Sequence, residues 1–406
     1  MDPVIILLII GSIFFLGLLS SILSDKMHIP NMLLLILVGI FLSNLPMVDG
    51  YANPFDNMVL ISTIGTIALI LIVFSYTSRF RVKDFDNLSM DAGLITVYSV
   101  VFSLLLLTFV AHFLLKLNIG LSLIFAASLL GTDPSSVAQF LPNIKNKSLK
   151  LLFVESIINS PITVLLPILF LDFVKNMPKA GELLVSFLTS FLSQIVTGIG
   201  AGFVIGLVFF KFMRKNYSTA LSPIALITAA ILSYGLAEVL DGNGIFAVTT
   251  LGLFYGSISL KNKFLLSQYS RELSEILEIF VFVMIGFLFR IQYLNLAFIL
   301  KLIVIFAIYL FSRWLAVMLA LRKSTYSKFE KRFITFLCPK GVVTVAIILM
   351  ISLSNYLSPE IINLLIGFIF VSQLFSTIFA KVSIKKITDF SQVKPKNFSK
   401  NTQNIP

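Results

Sequence analysis

The sequence predicts an all-α polytopic membrane protein with thirteen transmembrane helices, and three observations carry that prediction. The chain is 58% hydrophobic and only 12% charged, with mean hydropathy +1.00, whereas a soluble domain carries about 25% charged residues. Its 406 residues exceed the roughly 250–300 at which a single soluble core stops growing. In lipid this limit disappears, because apolar side chains need no shared core. The third observation is an alternation of basic loops along the chain.

Apolar runs bounded by charged residues, Pro or Gly give spans at 3–22, 31–46, 57–78, 90–115, 118–140, 149–173, 184–210, 219–239, 244–259, 274–289, 293–321, 331–353 and 361–384. The first begins MDPVIILLII, with no basic leader region and no small-residue cleavage site, so it reads as a spanning helix that is kept. The fifth is interrupted by Gly131-Thr132-Asp133-Pro134, and the sixth carries a polar arc. The tenth has Glu272, Glu275 and Glu278 at its inner end, which reads as an interfacial turn. Arg313 falls inside the eleventh span, and the twelfth is interrupted by Cys338-Pro339-Lys340-Gly341. Residues 1–384 thus form one transmembrane domain, and 385–406 a basic, disordered cytoplasmic tail.

Thirteen spans place the termini on opposite sides. With the N-terminus outside and the C-terminus in the cytoplasm, 24 of the 31 Lys and Arg fall in inward loops or the tail. The other seven are Lys116, Lys175, Lys179, Arg290 and Lys301 on the outer side, and Arg313 and Lys340 inside spans. Such an excess of inward positive charge fixes orientation in a cell membrane. It also accounts for the net charge of +12 without nucleic acid. Cys338 is the one cysteine, so no internal disulfide is possible. His28 and His112 have no companions at ligand spacing, so no resident metal or cofactor is expected. No nucleophile–base pair appears, which argues against an enzyme.

The fifth and twelfth spans are seven apart. Helices 1–6 and 8–13 then read as two six-helix repeats, inverted because the offset is odd. Pro and Gly open the helical ladder, and in lipid the freed backbone groups need protein or water as partners. Breaks at Gly131, Pro134, Pro339 and Gly341, in register and each with a charge, point to a transport site. On the sixth span Glu155, Ser156, Asn159, Ser160 and Thr163 share one arc of about 140°. Arg313 is the natural partner of an acid, and Glu155 reads as that acid in a structural pair. Lys340 can neutralise helix C-terminal carbonyls or an acid. Asp133, before Pro134, fits both an N-cap and an ion ligand.

At these residues the chain resembles the monovalent cation:proton antiporters, in particular the NhaP-like sodium/proton exchangers. The likeness rests on KMHIPNMLLLILVGIFLS, GTDPSSV, VESIINS, DGNGIFAVTTLGLFYG, FSRWLAVML and PKGVVTVAIIL, in that order. It implies a homodimer with a scaffold and a moving core domain, exchanging Na⁺, or alternatively Li⁺ or K⁺, for protons by alternating access. It implies that Thr132, Asp133 and Ser156 line the ion site, that Asn159 supports it, and that Glu155 pairs with Arg313. The chain departs from the pattern at three places. Ser160 stands where the family has its main aspartate, Lys340 replaces an arginine, and Tyr76-Thr77 replaces Glu-Gly.

Exchange at one site needs a group for which proton and cation compete. A serine hydroxyl does not titrate near neutral pH, so the reading gives Asp133 that role, with Ser156, Asn159 and Ser160 as neutral ligands. Glu155, should its Arg313 pair open, is the other candidate for the proton. The alternative is an antiporter fold without proton coupling: a uniporter, a channel-like path or a carrier of another substrate. A membrane sensor on the same scaffold is the third reading, and would need more than the short tail as a partner-binding part.

Overall fold

The computed structural model describes residues 3–27, 29–43, 58–78, 87–133, 147–175, 183–215, 221–258, 263–354 and 356–392. His28, residues 134–146 with Pro134 of the fifth-span break and Lys145 among them, the loop residues Arg79, Arg81, Lys83, Lys179 and Lys261, and the tail from 393 lie outside them. Among the described residues the secondary structure is entirely helical, with fourteen α-helices. They are α1 Pro3–Met27, α2 Asn31–Ser43, α3 Met58–Thr77, α4 Asn87–Leu114, α5 Ile119–Ser128, α6 Lys147–Lys175 and α7 Leu183–Lys215. There follow α8 Leu221–Val239, α9 Gly244–Ser257, α10 Lys263–Leu288, α11 Leu296–Ala320, α12 Lys328–Phe336, α13 Val342–Leu353 and α14 Pro359–Gln392. Six of these are long and apolar enough to cross a membrane.

The helices begin where side chains can take up the free N–H groups of a first turn. Asn118 accepts from Leu121 N at 2.8 Å ahead of α5, and Asn295 from Phe298 N at 2.8 Å ahead of α11. Asn243 accepts from Ile245 N and Phe246 N ahead of α9. The short α12 opens on a capping box, with Ser327 and Glu330 each bonded to the other's backbone N–H. His112 serves the opposite end of α4, where Nδ1 lies 2.7 Å from Leu117 O.

The twelfth span is interrupted where expected: α12 and α13 are separated by extended residues around Pro339. One boundary differs from expectation for a physical reason. The last helix runs to Gln392, past the end expected at 384. Neither Pro nor Gly occurs between Gly367 and Pro395, so nothing stops it.

Packing is helix on helix. α4 lies along α11, α5 along α6, α2 along α10, and α7 along α9, while α13 touches α3, α6 and α10. The closest approaches use missing side chains. A Cβ on Gly39 would strike the α10 backbone at Val283 and Gly286, and one on Gly202 would strike Ala247. Close backbone contact of this kind is how apolar helices gain van der Waals energy in a solvent that gives no hydrophobic drive.

Candidate functional site

The α5 helix stops at Ser128, and its last carbonyls have no helical partner. Gly131 sits at φ +81°, a backbone shape that costs other residues about 1–2 kcal/mol. Its missing Cβ also makes room for the Thr163 side chain of α6. The chain therefore turns out of the helix here and leaves Leu129 O and Gly131 O exposed to the interior.

Lys340 fills that gap. Its ammonium donates to Leu129 O at 2.6 Å, Gly131 O at 2.5 Å and Tyr309 Oη at 2.8 Å, and lies 4.1 Å from the centre of the Tyr309 ring. Lys340 is wholly buried. A helix C-terminus carries partial negative charge, so a cation there is stabilised. The backbone of Lys340 is held by α14: its N–H donates to Ser372 Oγ at 3.2 Å, and Gln373 Nε2 donates to its carbonyl.

The second break mirrors the first in charge. Asp133 N donates to Pro339 O at 2.9 Å, so the two interruptions meet in space. The buried Asp133 carboxyl packs where a side chain on Gly341 would be, at the start of α13. Gly341 caps α13 without any side-chain hydrogen bond, and a carboxylate suits the positive end of a helix. Each break thus carries the side chain that compensates the helix end of the other.

Beside the crossing, Glu155 and Arg313 form a buried bidentate pair, with Nη1 to Oε1 at 3.3 Å and Nη2 to Oε2 at 3.0 Å. Thr132 Oγ1 donates to Glu155 Oε2 at 3.1 Å, tying the fifth break to the pair. Arg313 Nη2 also donates to Ile334 O of α12 at 3.5 Å. A planar guanidinium bridging a carboxylate in two places is the arrangement that repays burying two charges.

The polar arc of α6 is buried along its length. Ser156 Oγ donates to Phe153 O, Ser160 Oγ to Ser156 O at 2.7 Å, and Thr163 Oγ1 to Asn159 O. Their protons are committed to their own helix, which leaves oxygen lone pairs facing outward. Asn159, Gly131, Tyr309 and Arg313 line one small cavity with Ser99, Val100, Ser103 and Leu130. Thr132, Glu155 and Arg313 are brought together, as are Asp133, Pro339 and Gly341, and Lys340 with Gly131. No bond joins Ser156 or Ser160 to Asp133 among the described contacts. Tyr309, Ser372 and Gln373 escaped sequence reasoning. They are neutral polar residues within spans, with nothing in their spacing to single them out.

The family model described as sodium/hydrogen exchanger, transmembrane, matches residues 10–385. A K(+)/H(+) antiporter NhaP of Alkalimonas amylolytica is 26% identical over 350 residues, covering 84% of this chain and 60% of the relative. A Na(+)/H(+) antiporter 1 of Methanocaldococcus jannaschii is 23% identical over 359 residues, covering 83% and 81%. The chain spans about 60% of the length of the K(+)/H(+) relative. The solved structure of the sodium proton antiporter MjNhaP1 from M. jannaschii at pH 8 superposes with TM-score 0.81 at 20% identity, covering 95% of this chain and 99% of that one.

Proposed function

The chain belongs to the sodium/hydrogen exchanger family, and we propose that it exchanges a monovalent cation for protons across a cell membrane by alternating access. Membrane-spanning antiport is the family's trade. The finer reading rests on one observation: two interrupted helices cross with Asp133 bonded to Pro339, deep among apolar residues. Unwound backbone at such depth belongs beside a watery ion path.

Asp133 is the group for which cation and proton compete. Its carboxylate supplies the charge, and Thr132, Ser156, Asn159 and Ser160 supply neutral oxygens. Glu155 and Arg313 hold the frame, and Lys340 balances the α5 end. Na⁺ is the first candidate, with Li⁺ and K⁺ as alternatives. Thirteen spans in two inverted repeats, the N-terminus outside, the basic C-terminal tail inside and a homodimer complete the proposal. The contact of α2 with α10 and that of α3 with α9 exchange under a seven-span shift, which supports the repeat relation.

The test is cation-driven proton movement in liposomes. Asp133→Asn should cut exchange at least about 100-fold, since it removes the competing charge. Exchange at the parent rate in that variant would refute the role of Asp133.

Ser160 favours a second reading, cation movement without protons, because its hydroxyl is a neutral donor to Ser156 O. Sodium flux with no matching proton flux would select it. Ser160→Asp adds a titrating oxygen to the same arc, and should then introduce proton coupling where none existed.

A further inference from the structure

Arg313 gives protons of Nη1 and Nη2 to Glu155 and to Ile334 O. Its buried Nε–H meets no hydrogen-bond partner among the described residues, and neither does the buried Ser99 Oγ of α4. Both residues line one hollow between α4, α6, α11 and the break at Gly131, together with Ser103 and Asn159. The hollow has room for about one water.

The hydrogen bonds around it have a direction. Ser312 Oγ donates to Tyr309 O at 2.7 Å, so its one proton is spent. Ser103 Oγ, 2.8 Å from Ser312 Oγ, is therefore the donor of that pair and keeps a lone pair to offer. Thr163 Oγ1 donates to Asn159 O at 2.9 Å and reaches Asn159 Oδ1 at 3.4 Å, so the amide oxygen also has accepting capacity to spare. The hollow thus sets a guanidinium N–H, which can only donate, opposite oxygens that can accept. An anion would accept from Arg313 and give nothing to those oxygens. A cation would meet the like charge of Arg313 in a low dielectric. Water does both, and buried polar atoms of this kind are what an ordered water satisfies.

We propose that this hollow is a built site for one resident water, which accepts from Arg313 Nε, donates to Ser103 Oγ and Asn159 Oδ1, and has Ser99 Oγ as its fourth partner. The water joins the Glu155–Arg313 frame to the polar arc of α6. It holds the Asn159 amide in one orientation before a cation arrives, so binding does not have to order it. Ser99 and Ser103 are thereby positioning residues for the transport site. The water itself stands on the hollow alone, while its effect on cation binding rests on the exchange reading.

The first test is a map of the full chain in nanodiscs, at a resolution that shows ordered waters. One peak should lie in the hollow within hydrogen-bond reach of Arg313 Nε. A hollow without density overturns the proposal. So does an anomalous peak there in crystals grown with bromide for chloride, which marks an anion.

The second test is sodium-driven proton movement in liposomes. In Ser99→Val the added methyl groups take the space of the water and leave Arg313 Nε unmatched. Apparent sodium affinity should weaken at least about fivefold, with a smaller change in maximal rate. Ser99→Ala removes one partner but leaves the water its room, so its loss of affinity should be clearly the smaller. A merely structural role would lower the unfolding midpoint without this split between affinity and rate. Ser99→Val with the parent's affinity, or Ser99→Ala as impaired as Ser99→Val, overturns the positioning role. If Ser99→Val fails to fold in detergent, Ser103→Ala decides: it removes an acceptor of the water and should weaken sodium affinity more than maximal rate, and parental affinity there overturns the role. If the parent shows no sodium-driven proton movement, the exchange reading falls while the map still decides the water.

Discussion

Glu155 and Arg313 are joined by two hydrogen bonds with both side chains out of solvent. Removing one partner leaves a buried charge without its counterpart, a loss of about 3–5 kcal/mol. Arg313→Met should therefore lower the unfolding midpoint in detergent sharply. The double variant Arg313→Met, Glu155→Gln should recover part of the loss, which a thermal-shift cycle measures. These residues were legible because an ionised side chain in an apolar run is rare enough to demand a partner. The same logic marked Asp133 and Lys340. It could not find Gln373 or Ser372, which satisfy the backbone of Lys340. Amides and hydroxyls are common in spanning helices, and only the fold reveals which of them face an unwound carbonyl.

Among the elements, α12 is the one that brings Pro339 and Lys340 to the crossing, and it is only nine residues long. So short a helix depends on its ends. Its N-terminus rests on the Ser327–Glu330 box, and Lys331 Nζ, from within it, donates to Leu321 O at the end of α11 at 2.6 Å. Ser327→Ala should cost about 1 kcal/mol, read as a lower midpoint, with the larger effect on exchange if α12 shifts Lys340. The interruptions themselves were legible from Pro and Gly inside apolar runs. Where they begin was not: α5 ends at Ser128, while the apolar run continues through Leu129 and Leu130. Hydropathy registers burial, and these two leucines are as buried as the helix before them.

For the whole molecule, the basic loops and the helix order together make a testable map. Gln292 and Lys323 are exposed and lie at opposite ends of α11. Cys338 is the chain's one thiol and is buried, so it should resist maleimide in the folded protein. In a Cys338→Ala background, Gln292→Cys should react with a membrane-impermeant maleimide added outside intact cells. Lys323→Cys should react only after the membrane is opened. Equal labelling of both from outside would invert or discard the proposed orientation.

The clasp of α2 on α10 at Gly39 and Gly286 has a mechanical meaning. Two rods whose main chains touch cannot slide or roll past each other without a collision, so they travel as one girder. A single methyl at Gly39 would lever the girder open. Gly39→Ala should thus slow turnover by several-fold while sodium affinity stays the same, as paired measurements of rate and binding would show.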